Sequence, residues 1–262
     1  VFVEIDPQTL CINPASIEEA ITKKTKIILP VHFGGLPCEL DEIKKIAKEN
    51  NCFVIEDAAH AVGSKYNSQK IGKHSFATCF SFHPVKNLAM PTGGLISINH
   101  NNHEKIEKRL KSLRWCGISN RKSTSYDVNE LGNNYYMNEF SAAIGLVQLE
   151  KINKLTKIRQ NTAKRYFNEV MIDEKMPFDN RCSYHMYWIR VKHRKKFREL
   201  LDKKQVETGT HYKPIHTFTL YKNNTSLPFT EKIGNEIVTI PIHPNLKKIE
   251  VDKIISTINK LA

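Results

Sequence analysis

The sequence predicts an α/β fold, with a mostly parallel sheet in a large domain to about residue 150 and a smaller α/β domain over 151–262. Two observations carry this. In residues 1–150 short apolar runs alternate with amphipathic stretches, the order of strands joined by crossover helices. A single helical pattern then runs from about 137 to about 170, roughly three times the usual helix length, and can bridge two units.

Taken in order, the opening run Val1-Phe2-Val3-Glu4-Ile5 reads as a strand already inside a domain. Because the chain starts there, and with Val rather than Met, an N-terminal part of the large domain is expected to be missing. Further strands are predicted over 26–31, 52–56, 77–82 and 94–98, with helices over 16–22, 39–50 and 103–113. Leu40, Ile43, Ile46 and Ala47 make the helical stripe of the second helix. The last two strands follow one another without a helix, so the order is not pure βαβ. In the long helix Ala142-Ala143, Leu146, Leu149, Ile152, Leu155 and Ile158 supply the apolar positions. Beyond it the pattern gives a strand over 183–192, a helix over 194–203, a short strand over 206–211 and a terminal helix from 249. The tract 212–246, rich in Pro, Asn and Thr, reads as loops with short strands.

Composition narrows the function. No stretch approaches the roughly 20 apolar residues of a membrane helix, so a cytoplasmic protein without membrane association is expected. Six cysteines form no Cys-x-x-Cys pair and read as buried thiols. The net charge of +13 is uneven: residues 1–150 hold 17 Lys/Arg against 16 Asp/Glu, residues 151–262 hold 23 against 11. The densest basic cluster, Arg190 to Arg198, has no aromatic-interleaved or Gly-rich motif beside it, so no nucleic-acid partner is expected. Eleven histidines offer no His-x-x-x-His pair with a carboxylate, and no metal site is expected.

Ligands of open α/β sheets sit beyond the carboxyl ends of the strands. Strand 52–56 runs into Asp57-Ala58-Ala59-His60, and strand 77–82 into Ser81-Phe82-His83-Pro84-Val85-Lys86. Singly, a strand-end Asp is an ordinary helix cap and a loop Lys a solvated charge. Together they suit one chemistry. A lysine in a partly dry, cationic site is available as the neutral, imine-forming amine. A carboxylate keeps a pyridine nitrogen protonated, as an electron-sink cofactor requires. Ser81 is a hydroxyl donor for a phosphate oxygen, and Gly93-Gly94 allows a sharp turn or a close backbone approach.

The tracts Ile55-Glu56-Asp57-Ala58-Ala59-His60-Ala61 and Phe80-Ser81-Phe82-His83-Pro84-Val85-Lys86-Asn87, followed by Gly93-Gly94, resemble the sugar aminotransferases of the DegT/DnrJ/StrS family. Leu131-Gly132-Asn133-Asn134-Tyr135-Tyr136-Met137-Asn138-Glu139, with Ala142-Ala143, is similar to that family's Gly-Tyr-Asn-Tyr-Arg-Met-x-Glu motif. The likeness runs from Val1 to Pro241-Ile242-His243-Pro244 and the last helix. It implies the aspartate-aminotransferase-like fold, type I among pyridoxal-phosphate enzymes. It also implies transfer of an amino group from glutamate or glutamine to a keto group of a nucleotide-linked sugar.

By the same resemblance pyridoxal 5'-phosphate is the cofactor. Lys86 would carry it and later move the proton, while Asp57 would pair with the pyridine nitrogen. His60 would bond the ring hydroxyl and Ser81 the phosphate, and Asn134 would reach the phosphate of a neighbouring subunit, making a homodimer with shared sites. His32, His83 and His216 are the candidate substrate contacts, with His211 and Tyr212 in the same loop as His216. Two positions depart from the motif: Tyr136 stands where Arg is usual and Asn133 where Tyr is usual. A branch using pyridoxamine phosphate for sugar dehydration has His in place of the lysine, so Lys86 argues against it. A non-catalytic homologue of the fold is the other alternative, and the set Asp57, Ser81, Lys86 and Asn134 speaks against it. The absent N-terminal part would carry a phosphate-binding turn at a helix N-terminus, and without it weak cofactor binding is expected.

Overall fold

The computed structural model describes residues 1–222 and 225–261. In chain order the first half holds α1 (Pro14–Ala20), β1 (Ile27–Ile28), α2 (Leu40–Glu49), β2 (Phe53–Asp57), β3 (Lys65–Tyr66), β4 (Gln69–Lys70), β5 (Ala77–Ser81), β6 (Gly94–Ile98) and α3 (His103–Leu113). Then follow β7 (Ile118–Lys122), β8 (Ser125–Val128), α4 (Glu139–Glu169), β9 (Tyr187–Arg190), α5 (Arg194–Lys203), α6 (Pro228–Glu236), β10 (Ile237–Ile240) and α7 (Lys248–Asn259).

The main sheet has the order β1-β2-β5-β6. Its β1–β2 and β2–β5 pairs are parallel, and β6 returns antiparallel to β5, as the missing helix between them requires. The parallel register sets Asp57 beside Cys79, so β2 and β5 end at one edge. Helix α2 packs the expected stripe, Leu40, Ile43, Ile46 and Ala47, against this sheet, all buried.

Helix α4 has 31 residues, a rod of roughly 46 Å. Its start is capped by Asn138, whose side chain accepts the Ser141 N–H. From Ile152 onward it is bound into the core. Tyr166 Oη donates to the Pro241 carbonyl at 2.7 Å, and the Arg159 guanidinium donates to the Tyr184 and Ile242 carbonyls. The antiparallel pair β9–β10 lies in the same apolar core as α2, β2 and α7, so one cluster joins residues on both sides of position 150. Phe140, Leu146 and Leu149, on the first half of α4, stay exposed, as do Ile27, Leu29, Phe53, Leu95 and Ile96 on the main sheet and its flank.

Several elements differ from expectation. Residues 1–5 form no strand; Ile5 makes one antiparallel bridge to Ile12, and the Glu4 carboxylate caps α6 through the Phe229 and Thr230 N–H groups. The first helix begins at Pro14, two residues early, because Asn13 accepts the Ala15 N–H and Pro fits the first turn. The strand read over 183–192 narrows to β9, and that over 206–211 to a single bridge, Gly209 to Thr239. The tract 212–246 holds α6, which its turn-rich composition concealed, although Pro228 at the first helical turn is a start signal. Asn223 and Asn224 of that tract lie outside the described residues. Two hairpins, β3–β4 and β7–β8, were not anticipated. No helix among the described residues is long and apolar enough to cross a membrane.

Candidate active site

The shared edge of β2 and β5 gathers the chemistry. Asp57 ends β2, and its Oδ1 accepts the Ala59 N–H at 2.9 Å, fixing the carboxylate while its second oxygen keeps its lone pairs for a ligand. Ser81 ends β5 opposite Gly94; its Oγ accepts the His83 N–H at 3.3 Å. From there a tight turn, with the Lys86 N–H on the His83 carbonyl at 2.8 Å, brings Lys86 back toward Asp57. Half-burial holds the Lys86 amine below its ordinary pKa, and the Asp57 charge offsets part of that fall.

Imidazoles crowd the same place. His60 is 8 % exposed and its pKa is pushed down to about 3, by burial first and then by the charges of Lys86 and His211. Its ring stacks on His185 with centroids 4.5 Å apart and planes at 29°. Tyr212 lies near-parallel to His60 at 6.0 Å, with its Oη 3.4 Å from His60 Nε2, and Phe33 meets the imidazole edge-on at 6.2 Å. Burial, then His60, Lys86, Arg159 and His211, press His185 down to about 2. His211 is also lowered, by burial and by Lys86 and Arg198, while its Nδ1 meets Thr239 Oγ1 at 2.7 Å. Burial and the Asp57 charge raise the Tyr212 phenol. The Nδ1 atoms of His60 and His185 are buried without a hydrogen-bond partner among the described residues, a feature that in a polar site calls for an explanation. A cleft of about 770 Å³ opens beside them, lined by Val85, His185, His211, Tyr212, His243 and Lys253 among others.

The remaining sequence candidates fall elsewhere. His32 is wholly buried: its Nδ1 accepts the Cys38 N–H at 3.0 Å and its Nε2 meets Glu56 Oε2 at 2.7 Å. With both nitrogens engaged inside the core, His32 has no ring nitrogen left over for a ligand. His216 is likewise buried, tying its loop to α6 through Glu231 at 3.0 Å, with Phe2 against its ring. Its neighbours His211 and Tyr212 are the residues of that loop that reach Lys86 and His60. His83 is exposed at the turn before Lys86, its Nδ1 accepting the Val85 N–H. Asn134 is exposed before α4, with its Oδ1 on the Tyr136 N–H at 3.4 Å; no hydrogen bond or ring contact joins it to Asp57 or Lys86 among the described residues. Sequence reasoning missed His185. Its signal was a polar Ser183-Tyr184-His185 run opening an otherwise apolar strand. Among the described residues no group of three or more His, Cys, Asp or Glu could hold a metal ion.

Comparison with known proteins follows the same outline. The model of the DegT/DnrJ/EryC1/StrS aminotransferase family matches residues 1–259. The chain is 31% identical to the spore coat polysaccharide biosynthesis protein SpsC of Bacillus subtilis, over all of this chain and 73% of that protein. Helicobacter pylori PseC, an aminotransferase involved in the biosynthesis of pseudoaminic acid, superposes with a TM-score of 0.91 at 28% identity, over 99% of this chain and 72% of PseC. Spr1654 of Streptococcus pneumoniae, in its PLP-form, superposes with a TM-score of 0.91 at 29% identity, over 100% and 74%. The fold is therefore that of the sugar aminotransferases of fold type I.

Proposed function

The chain belongs to the DegT/DnrJ/EryC1/StrS aminotransferase family, and on that premise we propose that it works as a pyridoxal-phosphate-dependent aminotransferase acting on a nucleotide-linked keto sugar. The amino donor in this reading is glutamate or glutamine. One observation carries it: the parallel strands β2 and β5 end side by side, which sets Asp57 and the turn bearing the half-buried Lys86 at one edge of the sheet.

The residues present fit pyridoxal phosphate on chemistry. Asp57 offers a carboxylate for a protonated ring nitrogen, and the unpartnered Nδ1 of buried His60 suits the ring hydroxyl. Ser81 offers a hydroxyl to a phosphate oxygen. When bound, the cofactor supplies an electron sink for the carbon from which a proton is taken. Lys86 Nζ would hold it covalently and, once free, would take and return that proton; a lowered pKa keeps the amine competent for both tasks. Asp57 would hold the proton on the ring nitrogen, and Tyr212 and Phe33 shield His60 from water.

In this reading Asn134 serves the phosphate of a second copy, and the uncovered Phe140, Leu146 and Leu149 of α4 are where the two copies of a homodimer would meet. The excess of 23 Lys/Arg over 11 Asp/Glu in residues 151–262 favours the anionic diphosphate of a nucleotide-linked sugar. A cytoplasmic location and the division near residue 150 belong to the same proposal.

Incubating the chain with pyridoxal phosphate, reducing with borohydride and mapping the labelled peptide tests it. Label at Lys86 that disappears in Lys86→Ala supports the assignment. Label spread over surface lysines, unchanged in that variant, refutes it.

A further inference from the structure

The segment Ser183–His185 belongs to no motif used above, yet it is sewn to the loops that carry His60 and Lys86. Asn87, next to Lys86, donates from its side-chain amide to the Ser183 carbonyl at 3.0 Å. The Ser183 hydroxyl donates to the His60 carbonyl at 3.3 Å, and the Ser183 N–H donates to Ser64 Oγ at 3.1 Å. Ser64 in turn donates to the Gly35 carbonyl at 2.6 Å, while the His185 N–H donates to the Gly34 carbonyl at 2.8 Å. Gly35 has φ +95°, and a Cβ there would stand 2.8 Å from Ser183 Oγ and 2.9 Å from the His60 carbonyl oxygen. The backbone under His185 is thus held in one place relative to both His60 and Lys86, and its ring lies 4.5 Å from the His60 ring at 29°.

We propose that His185 is a positioning residue of this site: stacked on His60, it fixes the plane of that imidazole and keeps water from it, so that His60 meets its ligand as a neutral ring with one donor and one acceptor nitrogen. The inference rests on the reading of Lys86 and Asp57 as a pyridoxal-phosphate site. A neutral imidazole can both give and accept a hydrogen bond, whereas the protonated ring only donates and would add a second cation beside Lys86. The charges that act on His60 push the same way as its burial. Lys86 from the turn after β5 and His211 from the loop before α6 both disfavour its protonation, burial does so more, and Tyr212 presents a neutral phenol. His185 itself is kept neutral by burial and by His60, Lys86, Arg159 and His211. Asp57, the carboxylate of this group, acts on Lys86 and Tyr212.

The test is the ring-nitrogen NMR spectrum of His60 in the cofactor-free chain, followed from about pH 4.5 to about pH 8. In the unaltered chain His60 should stay a single neutral tautomer throughout. His185→Phe, which keeps a stacked ring, should leave that spectrum unchanged. His185→Gln, which keeps a polar group and loses the stack, should let water in and raise the His60 pKa by about 2.5 units or more, so that it titrates in the window. A His60 that titrates near the ordinary histidine value in the unaltered chain overturns the proposal. So does a Phe variant shifted as far as the Gln variant, or a Gln variant like the unaltered chain. If His185→Gln does not fold, judged by its melt, the first two spectra decide. Borohydride labelling at saturating pyridoxal phosphate on the same samples separates the two readings: label that does not favour Lys86 in the unaltered chain sinks the cofactor assignment, whatever the histidine spectra say.

Discussion

Replacing His32 by Leu isolates the pair that supports the floor of the site. Glu56, one residue before Asp57, is wholly buried. Burial pushes its carboxyl up, but the hydrogen bonds from His32 and from Thr78 (Oγ1 at 3.2 Å) more than reverse this and leave it below its ordinary pKa. Because His32 Nδ1 accepts the Cys38 N–H, Nε2 carries the ring proton and donates it to Glu56. His32→Leu removes that bond, of order 1.5–3 kcal/mol when the acceptor is charged, and strands the Cys38 N–H at roughly 1 kcal/mol more. Taking up a proton limits the damage. From an unfolded-state value of about 4.3, protonating a carboxyl at pH 7 costs about 3.7 kcal/mol, which caps the electrostatic part.

A total loss of about 2.5–4 kcal/mol at pH 7 is therefore expected, read from urea unfolding through the fluorescence of buried Trp188. The sign of the pH dependence is also set. In the unaltered chain the lowered Glu56 pKa contributes stability that is present above the unfolded value and lost as pH falls through the folded one. In the variant the folded pKa is raised, so its folded state holds a proton that the unfolded state releases, and it loses stability as pH rises from about 4.3. The gap between the two should shrink to about 2 kcal/mol at pH 5. A loss under about 1 kcal/mol at pH 7, or a gap that does not narrow on acidification, would refute the reasoning and reopen a ligand role for His32.

Other outcomes follow from the same contacts. Glu4→Ala uncaps α6 and should cost about 1 kcal/mol in thermal or urea unfolding, with Glu4→Gln retaining much of it. Gly35→Ala places a Cβ against Ser183 and the His60 carbonyl in a left-handed backbone, and should cost about 2–3 kcal/mol and weaken pyridoxal-phosphate labelling together. Since Lys86 is lowered by burial, its labelling by pyridoxal phosphate should reach half its plateau at lower pH than labelling of exposed lysines, as peptide mapping across a pH series would show. Coincident curves would remove the desolvated amine from the argument.

What could be read from the chain depended on whether the deciding interaction was local. Helix α2 announced itself because Leu40, Ile43, Ile46 and Ala47 repeat at helical spacing, and those four are the ones buried. Asp57, Ser81 and Lys86 were legible because a parallel strand delivers its last residue to a known edge of the sheet. The opening run Val1–Ile5 has the same apolar, β-branched look, but a strand is made by its partner, and only Ile5 has one. Helix α6 went unseen because Pro, Asn and Thr around it spell turns, while the carboxylate that caps it, Glu4, lies more than two hundred residues away in sequence.

The histidines mark the boundary most clearly. Sequence placed His60 after a strand and so in the crevice, since that position follows from backbone direction alone. It could not tell His32, His216 and His185 apart, because burial and partners belong to the packing. Only the tertiary structure turned His32 toward Glu56 and His216 toward Glu231, and laid His185 on His60 across 125 residues of chain. The family, the parallel sheet and the lysine beside the aspartate were determined by residue type and spacing. Which imidazoles stand in the site was decided by long-range contacts, where a side chain's surroundings, not its identity, set its charge and its use.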